Sequence, residues 1–259
     1  MTSAETIELF DRRAWRLHRE RAARSGCVDF LHAEVAERLV DRLEDVSRQF
    51  HVVLDLGVHN GALSRALARR PGMEWVVAAD PSLGFLACHD GIRLAANPDL
   101  VPFRDGSFEL IVSALALHWV GDLPGALVQL RRVLKPGGLF LAAMFGGSTL
   151  VELRTVLLEA ELIEEAGASP RVSPAADLAD VAALLLRTGF AMPVADAEKI
   201  TVTYTNALAV RRRTPLRRQT LARAAALYAE RFSRPDGRIP ATFEILCLTG
   251  WAPDARRGR

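Results

Sequence analysis

The 259-residue chain is poor in cysteine, poor in lysine and without a long apolar run. Its three cysteines, Cys27, Cys88 and Cys247, are scattered, which excludes a disulfide scaffold and points to a reducing compartment. No CxxC or HxxxH spacing occurs, so no metal centre is expected. The lack of a GxSxG elbow and of a GK[ST] loop argues against a serine hydrolase and a nucleoside triphosphatase. No stretch reaches the ~20 apolar residues that a membrane helix needs, so no integral membrane segment is expected. The start, MTSAETIELFDRR, carries early acids and no basic region followed by an apolar one, unlike a secretory signal or a mitochondrial presequence. A cytoplasmic location is therefore expected. Only Lys135 and Lys199 are lysines among the 33 basic residues, and the acids number 31. A net charge of +2 is too mild for a nucleic-acid partner.

What the chain does have is 50% hydrophobic and 25% charged residues, enough for one large core and too apolar for disorder. Two helical patterns come first, over 5–24 and 28–47, and read as a lid or brace over residues 1–50. From residue 51 short apolar runs alternate with helical ones. HVVLDLG (51–57), WVVAAD (75–80), IRLAAN (92–97), FELIVSAL (108–115) and LFLAAMF (139–145) read as strands. Helices are expected over 62–69, 82–88 and 123–134, the last stopped by the turn KPGG (135–138). This alternation predicts an α/β fold with a mostly parallel sheet and helices on both faces. Further on, helices are expected over 149–166, 178–189 and 215–231, strands over 198–205 and 242–251, and a turn-rich linker over 169–174.

Ligands in such sheets bind beyond the carboxyl ends of the strands, at the point where strand order reverses. The first end carries Asp55 and a glycine turn, Gly57–His59–Gly61, whose following helix could offer free N–H groups. The second carries Asp80, 23 residues after Gly57, placed to accept the two hydroxyls of a ribose or to cap the next helix, as Ser82 also could. Beyond the third, Asn97 or Asp99 could face the edge of a base. Beyond the fourth, Ser113, His118 and Trp119 could line a pocket, with His118 as a substrate contact and proton acceptor or a structural polar group. The arginine run Arg211–Arg213 with Arg217–Arg218 could grip an acidic partner or a carrier-protein phosphate, or form a solvated helix start.

VLDLGVHNG (53–61), Asp80, VPFRDGSFELIVS (101–113) and LKPGG (134–138) together resemble the class I S-adenosylmethionine-dependent methyltransferases. The resemblance implies a Rossmann-like seven-stranded sheet with the last strand antiparallel, a domain over 51–259 with a helical insert at about 206–238, and S-adenosyl-L-methionine as cofactor. It implies that Asp55 and the turn hold the methionine part, Asp80 the ribose and Asn97 the adenine amino group. FDRRAWRLHRERAA, ALALHWVGDLPGALVQLRRVLKPGGLFLAAMFGG, SPRVSP, TGFAMPVAD and DGRIPATFEILCLTGW extend it over nearly the whole chain. There it resembles the bacterial relatives of mitochondrial respiratory complex I assembly factor 5 and is similar to malonyl-carrier-protein methyltransferases. The implied partners are a small-molecule, carrier-protein or protein substrate, a complex I subunit among them. The mitochondrial relative is a protein-arginine hydroxylase, so methyl transfer, arginine hydroxylation and a non-catalytic binding role all remain readings of this fold. The chain departs from the family pattern in carrying His59 for a glycine, Asn97 for an aspartate and a shorter segment between TVTY and the arginine run.

Overall fold

In the computed structural model, the described residues are 10–254 except 27–28, 166, 168–170, 172, 174 and 205–216. Cys27 and the run Arg211–Arg213 lie outside them. The chain divides into two compact units, one of Met1–Met144, Ala179–Asp196 and Cys247–Arg259, the other of Phe145–Leu178 and Ala197–Leu246.

Two helices open the first unit, α1 (Arg12–Ser25) and α2 (Phe30–Glu44). The Asp11 carboxylate accepts from the Ala14 N–H at 2.9 Å and starts α1. The two helices differ in what they bury. In α1 only Trp15 is buried, whereas α2 buries Val35, Ala36, Leu39 and Leu43. The sheet follows: β1 (Val52–Leu56), α3 (Ala62–Ala68), β2 (Trp75–Asp80), α4 (Leu83–Leu86), β3 (Ile92–Ala95), β4 (Phe108–Ala114), a 3₁₀ turn at Leu117–Trp119, α5 (Leu123–Val133) and β5 (Leu134–Phe145). Later come α6 (Val151–Glu164), α7 (Leu178–Arg187), β6 (Ala191–Tyr204), α8 (Arg218–Phe232) and β7 (Ile239–Trp251).

The strand order is β3-β2-β1-β4-β5-β7-β6. β1 pairs in parallel with β2 and β4, as β2 does with β3 and β4 with β5. Covered on both faces, β1 and β4 bury Val53, Leu54, Leu56, Leu110, Ile111 and Val112, which is why both read as unbroken apolar runs. β7 runs antiparallel to β5: Gly137 N donates to Ala252 O and Ala252 N to Gly138 O, at 3.0 and 2.8 Å. This pairing also corrects the expected strand start. β5 starts ahead of KPGG, with Leu134 opposite Phe108, while the helix does stop at Val133 and Gly137 keeps a φ of +69°: KPGG is a bulge between the Phe108–Leu134 and Leu110–Leu139 pairs, tied to β7 through Gly137 opposite Ala252. β6 likewise begins at Ala191 rather than 198. It is the last strand of the sheet, where Pro193 can sit without breaking a ladder bond.

In the second unit α6 and α8 share a core of Leu153, Val156, Leu157, Ala160, Ala224 and Tyr228. Arg231 and Arg223 of α8 pair with Glu159 and Glu164 of α6. No described helix is long and apolar enough to cross a membrane.

The chain returns from β3 to β4 across β1, so the switch point lies between β1 and β4, at their carboxyl ends. There Gly57 holds φ at +84°, and a Cβ on it would meet the Ala116 Cβ at 2.3 Å. The Gly57→Ala variant is expected to lose at least about 2 kcal/mol of unfolding free energy in a urea titration, from left-handed strain and overpacking together.

Candidate functional site

The carboxyl ends of β1, β2 and β4 bring Asp55, Asp80 and the 3₁₀ turn with His118 to one edge of the sheet. Asp55 is buried, and its Oδ2 accepts from the Ser64 hydroxyl at 2.6 Å. Its Oδ1 is buried and has no partner. Burial pushes the Asp55 carboxyl up to about 7, with the Asp80 charge adding to the rise and the Ser64 hydrogen bond opposing it.

Asp80 is fully buried and meets four donors. Its Oδ1 accepts from Ser82 N at 2.8 Å and Arg19 Nε at 3.2 Å; its Oδ2 accepts from His59 N at 3.2 Å and from Arg19 Nη2. The helix-capping alternative for this position falls to Ser82, whose Oγ accepts from Phe85 N at 3.2 Å at the start of α4. Arg19 comes from α1 and is the cation paired with this fully buried carboxylate. Its guanidinium also lies 4.9 Å from the Phe85 ring centre and 5.5 Å from that of Trp15.

The turn itself is occupied by side chains. His59 adopts φ of 47°, the backbone region of the glycine it stands in for. Its ring stacks on His32 of α2 at 3.6 Å and on Phe85 at 4.3 Å. Gly61 precedes α3, and the expected free N–H groups are partly used: Ala62 N donates to Asn60 Oδ1 at 3.1 Å and Gly61 N to Val58 O at 2.9 Å. Asn60 also donates to Asp29, the residue that precedes α2.

Past β3, Asn97 Oδ1 accepts from Asp99 N at 3.2 Å and from Arg12 Nη1 at 3.4 Å. Asp99 pairs with Arg12 and accepts from Gly121 N at 2.9 Å. Beside them lies a cleft of about 490 Å³ lined by Arg12, Arg13, Trp15, Arg16, Pro81 and Asn97. Ser113 is turned into the sheet, where its hydroxyl donates to Leu56 O at 2.8 Å, so it ties β4 to β1 rather than lining the cleft. His118 packs 5.4 Å from Trp119, which in turn meets Trp15 at 6.4 Å and Phe10 at 5.5 Å.

Sequence reasoning located the acids at the strand ends and missed the residues that sit on them: Arg12 and Arg19, with His32 and Phe85. The available signal was the buried acid itself, since a buried carboxylate demands a cation, and α1 carries six of the nine arginines that precede the first strand.

S-adenosylmethionine presents two neighbouring hydroxyls, an adenine edge and a cationic amino-acid end. Asp80 offers a carboxylate to the hydroxyls, Asn97 an amide to the base, and Asp55 Oδ1 a buried oxygen without a donor for the cationic end. These residues fit the cofactor in kind. In the described conformation Arg19 and Arg12 occupy two of the three acceptors.

A methyltransferase domain family matches residues 54–142. The mitochondrial arginine-hydroxylase NDUFAF5 of Danio rerio is 35% identical over 274 residues, covering 97% of this chain and 85% of that protein. The malonyl-[acyl-carrier protein] O-methyltransferase of Halorhodospira halophila is 37% identical, covering 89% of this chain and 84% of that protein. In fold, the chain is similar to the Burkholderia thailandensis 1,6-didemethyltoxoflavin-N1-methyltransferase, solved with S-adenosylhomocysteine bound. The TM-score is 0.57 at 14% identity, over 98% of this chain and 93% of that one.

Three imidazoles share this edge in the neutral form. Burial first, and then neighbouring charge, lowers His32 and His118 to about 3 and His59 to about 4. Unfolded imidazoles take protons near 6.5, so their neutral state stabilises the fold fully above about pH 6.5, and that contribution is lost as pH falls toward 4. The His59→Gly variant removes one of the three groups. Its melting temperature is expected to fall less than that of the parent chain between about pH 7 and pH 5.

Proposed function

We infer the function from the family: the chain belongs to the class I S-adenosylmethionine-dependent methyltransferases, and we propose that it methylates a carboxylate, on a small acid or a carrier-linked acyl chain. One observation carries the cofactor half of this reading: Asp80, a buried carboxylate at the end of β2, takes a side-by-side pair of donors from Arg19. Two vicinal hydroxyls present the same pattern. Asp80 would hold the ribose, Asn97 the adenine amino group and Asp55 the amino end of the methionine part, along the turn Gly57–His59–Gly61. When bound, the cofactor supplies a methyl group already activated on a sulfonium, so the protein's work is to align the acceptor and exclude water.

The choice of acceptor follows from His118, in the 3₁₀ turn that follows β4. Burial and the Arg19 charge hold it down to about 3. An imidazole that weakly basic gives little help in removing a proton at neutral pH. An acceptor that is already an anion needs no such help, and a carboxylate is one. Arg13 and Arg16, exposed at the mouth of the cleft, offer such an anion its first attraction. The name of the Halorhodospira halophila relative, an O-methyltransferase of a malonyl-carrier protein, supports the same class.

A second reading, hydroxylation of an arginine in a partner protein, is favoured by the NDUFAF5 relatives, which match nearly the whole chain. Mass spectrometry of the acceptor separates the two: incubation with S-adenosylmethionine is expected to add one methyl group, and a gain of one oxygen would support hydroxylation instead. The Asp55 carboxyl adds a pH signature. Its proton must leave before it can hold a cationic group, and burial keeps that proton on up to about 7. Affinity for S-adenosylhomocysteine in calorimetry is expected to rise with pH through that value. Below it each pH unit costs about tenfold, whereas Asp55→Asn binds weakly and with a flat profile.

A further inference from the structure

We propose that α1 is a bolt across the cofactor cleft: its two inner arginines stand in for the nucleoside, and the helix must withdraw for S-adenosylmethionine to enter. This rests on the cofactor reading above and adds the regulation of that site.

The count of hydrogen bonds at Asp80 carries the argument. A carboxylate has about four lone-pair positions. Asp80 gives two to the backbone N–H groups of His59 and Ser82, and the other two to Arg19. No acceptor position remains for two hydroxyls while Arg19 is in place. The same helix blocks the base end, where Arg12 pairs with Asp99 and donates to Asn97 at 3.4 Å. The two arginines lie seven residues apart, two turns of one helix face, so they engage and release together.

The remaining attachments of α1 suit a part that moves. Trp15 is its only buried residue. Its other contacts are mainly polar: Arg12, Arg19, which also lies over the Phe85 ring, and Glu20, whose carboxylate accepts from Leu83 N at 2.6 Å and Gly84 N at 3.3 Å, with Ala23 close to Gly84. Elements fixed by few apolar contacts open at low free-energy cost. α2 stays, since it buries four apolar residues and is joined to the turn through Asp29 and Asn60. Between them Gly26 closes α1 with φ of 68°, a left-handed position from which the backbone can swing. Withdrawal of α1 leaves Asp80 and Asp99 without their cations inside a buried edge. An adenosine that brings hydroxyls to Asp80 relieves the larger of these costs, so ligand and bolt exclude each other by competing for the same carboxylate.

Such competition has an unusual sign with salt. Ionic strength screens the partly exposed Arg12–Asp99 pair and so weakens the bolt, while a ligand held by hydroxyl groups at Asp80 and by the buried Asp55 carboxylate loses little. The test uses S-adenosylhomocysteine and the full chain, with calorimetry for affinity and hydrogen exchange for the 12–25 amides. Arg19→Gln, and the double variant with Arg12→Gln, are expected to bind at least tenfold more tightly than the parent chain. Arg19→Lys, which keeps the charge but not the paired donors, is expected to fall between. In the parent chain, binding tightens with added salt and speeds exchange in α1 but not in α2. Equal affinity in all forms, or weaker binding by Arg19→Gln, would overturn the bolt and leave the cofactor reading standing. Failure of every folded variant to bind at millimolar ligand would overturn the cofactor reading and the bolt's purpose with it.

Discussion

A carboxylate buried at the end of a strand cannot be left unpaired, and Asp80 is the group on which this molecule turns. Removing its charge from water costs several kcal/mol unless cations and N–H groups replace the lost hydration. Here two backbone amides and one guanidinium do so. The amides come from the adjacent turn and the start of α4, so they are fixed by the sheet. The guanidinium comes from a helix 61 residues away in sequence, which can leave. The fixed half of this arrangement belongs to the fold, and the movable half is what a ligand can replace.

The sheet explains why this edge was available for a site. Five parallel strands leave their carboxyl ends on one side, and the order β3-β2-β1-β4-β5 opens a crevice between β1 and β4. Gly57 lets the chain turn there within reach of Ala116, and His59 follows with the backbone of a glycine but the ring of an aromatic. That ring makes its stack with His32 and Phe85. The imidazole thus fills space that a glycine leaves open, and the departure from the family pattern at this position comes with its own packing partner.

Much of this was legible in the residues. β1, β2 and β4 are short apolar runs bounded by turns, and their ends named Asp55 and Asp80 without any coordinates. The errors have physical causes. KPGG does turn, with Gly137 at φ of +69°, but it sits inside β5 as a bulge that β7 pairs with from more than 100 residues away, and no local pattern reports that pairing. Ser113 lies on a strand end, yet alternation along the strand points its hydroxyl to Leu56 instead of the cleft. Arg12 and Arg19 were hidden for a third reason. Helical patterns are read through their apolar stripe, and in α1 the stripe buries one tryptophan while the charged residues make the long-range contacts.

Family membership settles the scaffold, and the acceptor and the bolt are read from this chain's own residues. The acceptor reading rests on His118, and the bolt on Asp80 exchanging one set of donors for another. A crystal structure with S-adenosylhomocysteine tests this most directly: the account requires the ribose hydroxyls on the Asp80 carboxylate and the Arg19 guanidinium displaced from it. Ligand bound in the crevice with the Arg19–Asp80 pair intact would contradict it.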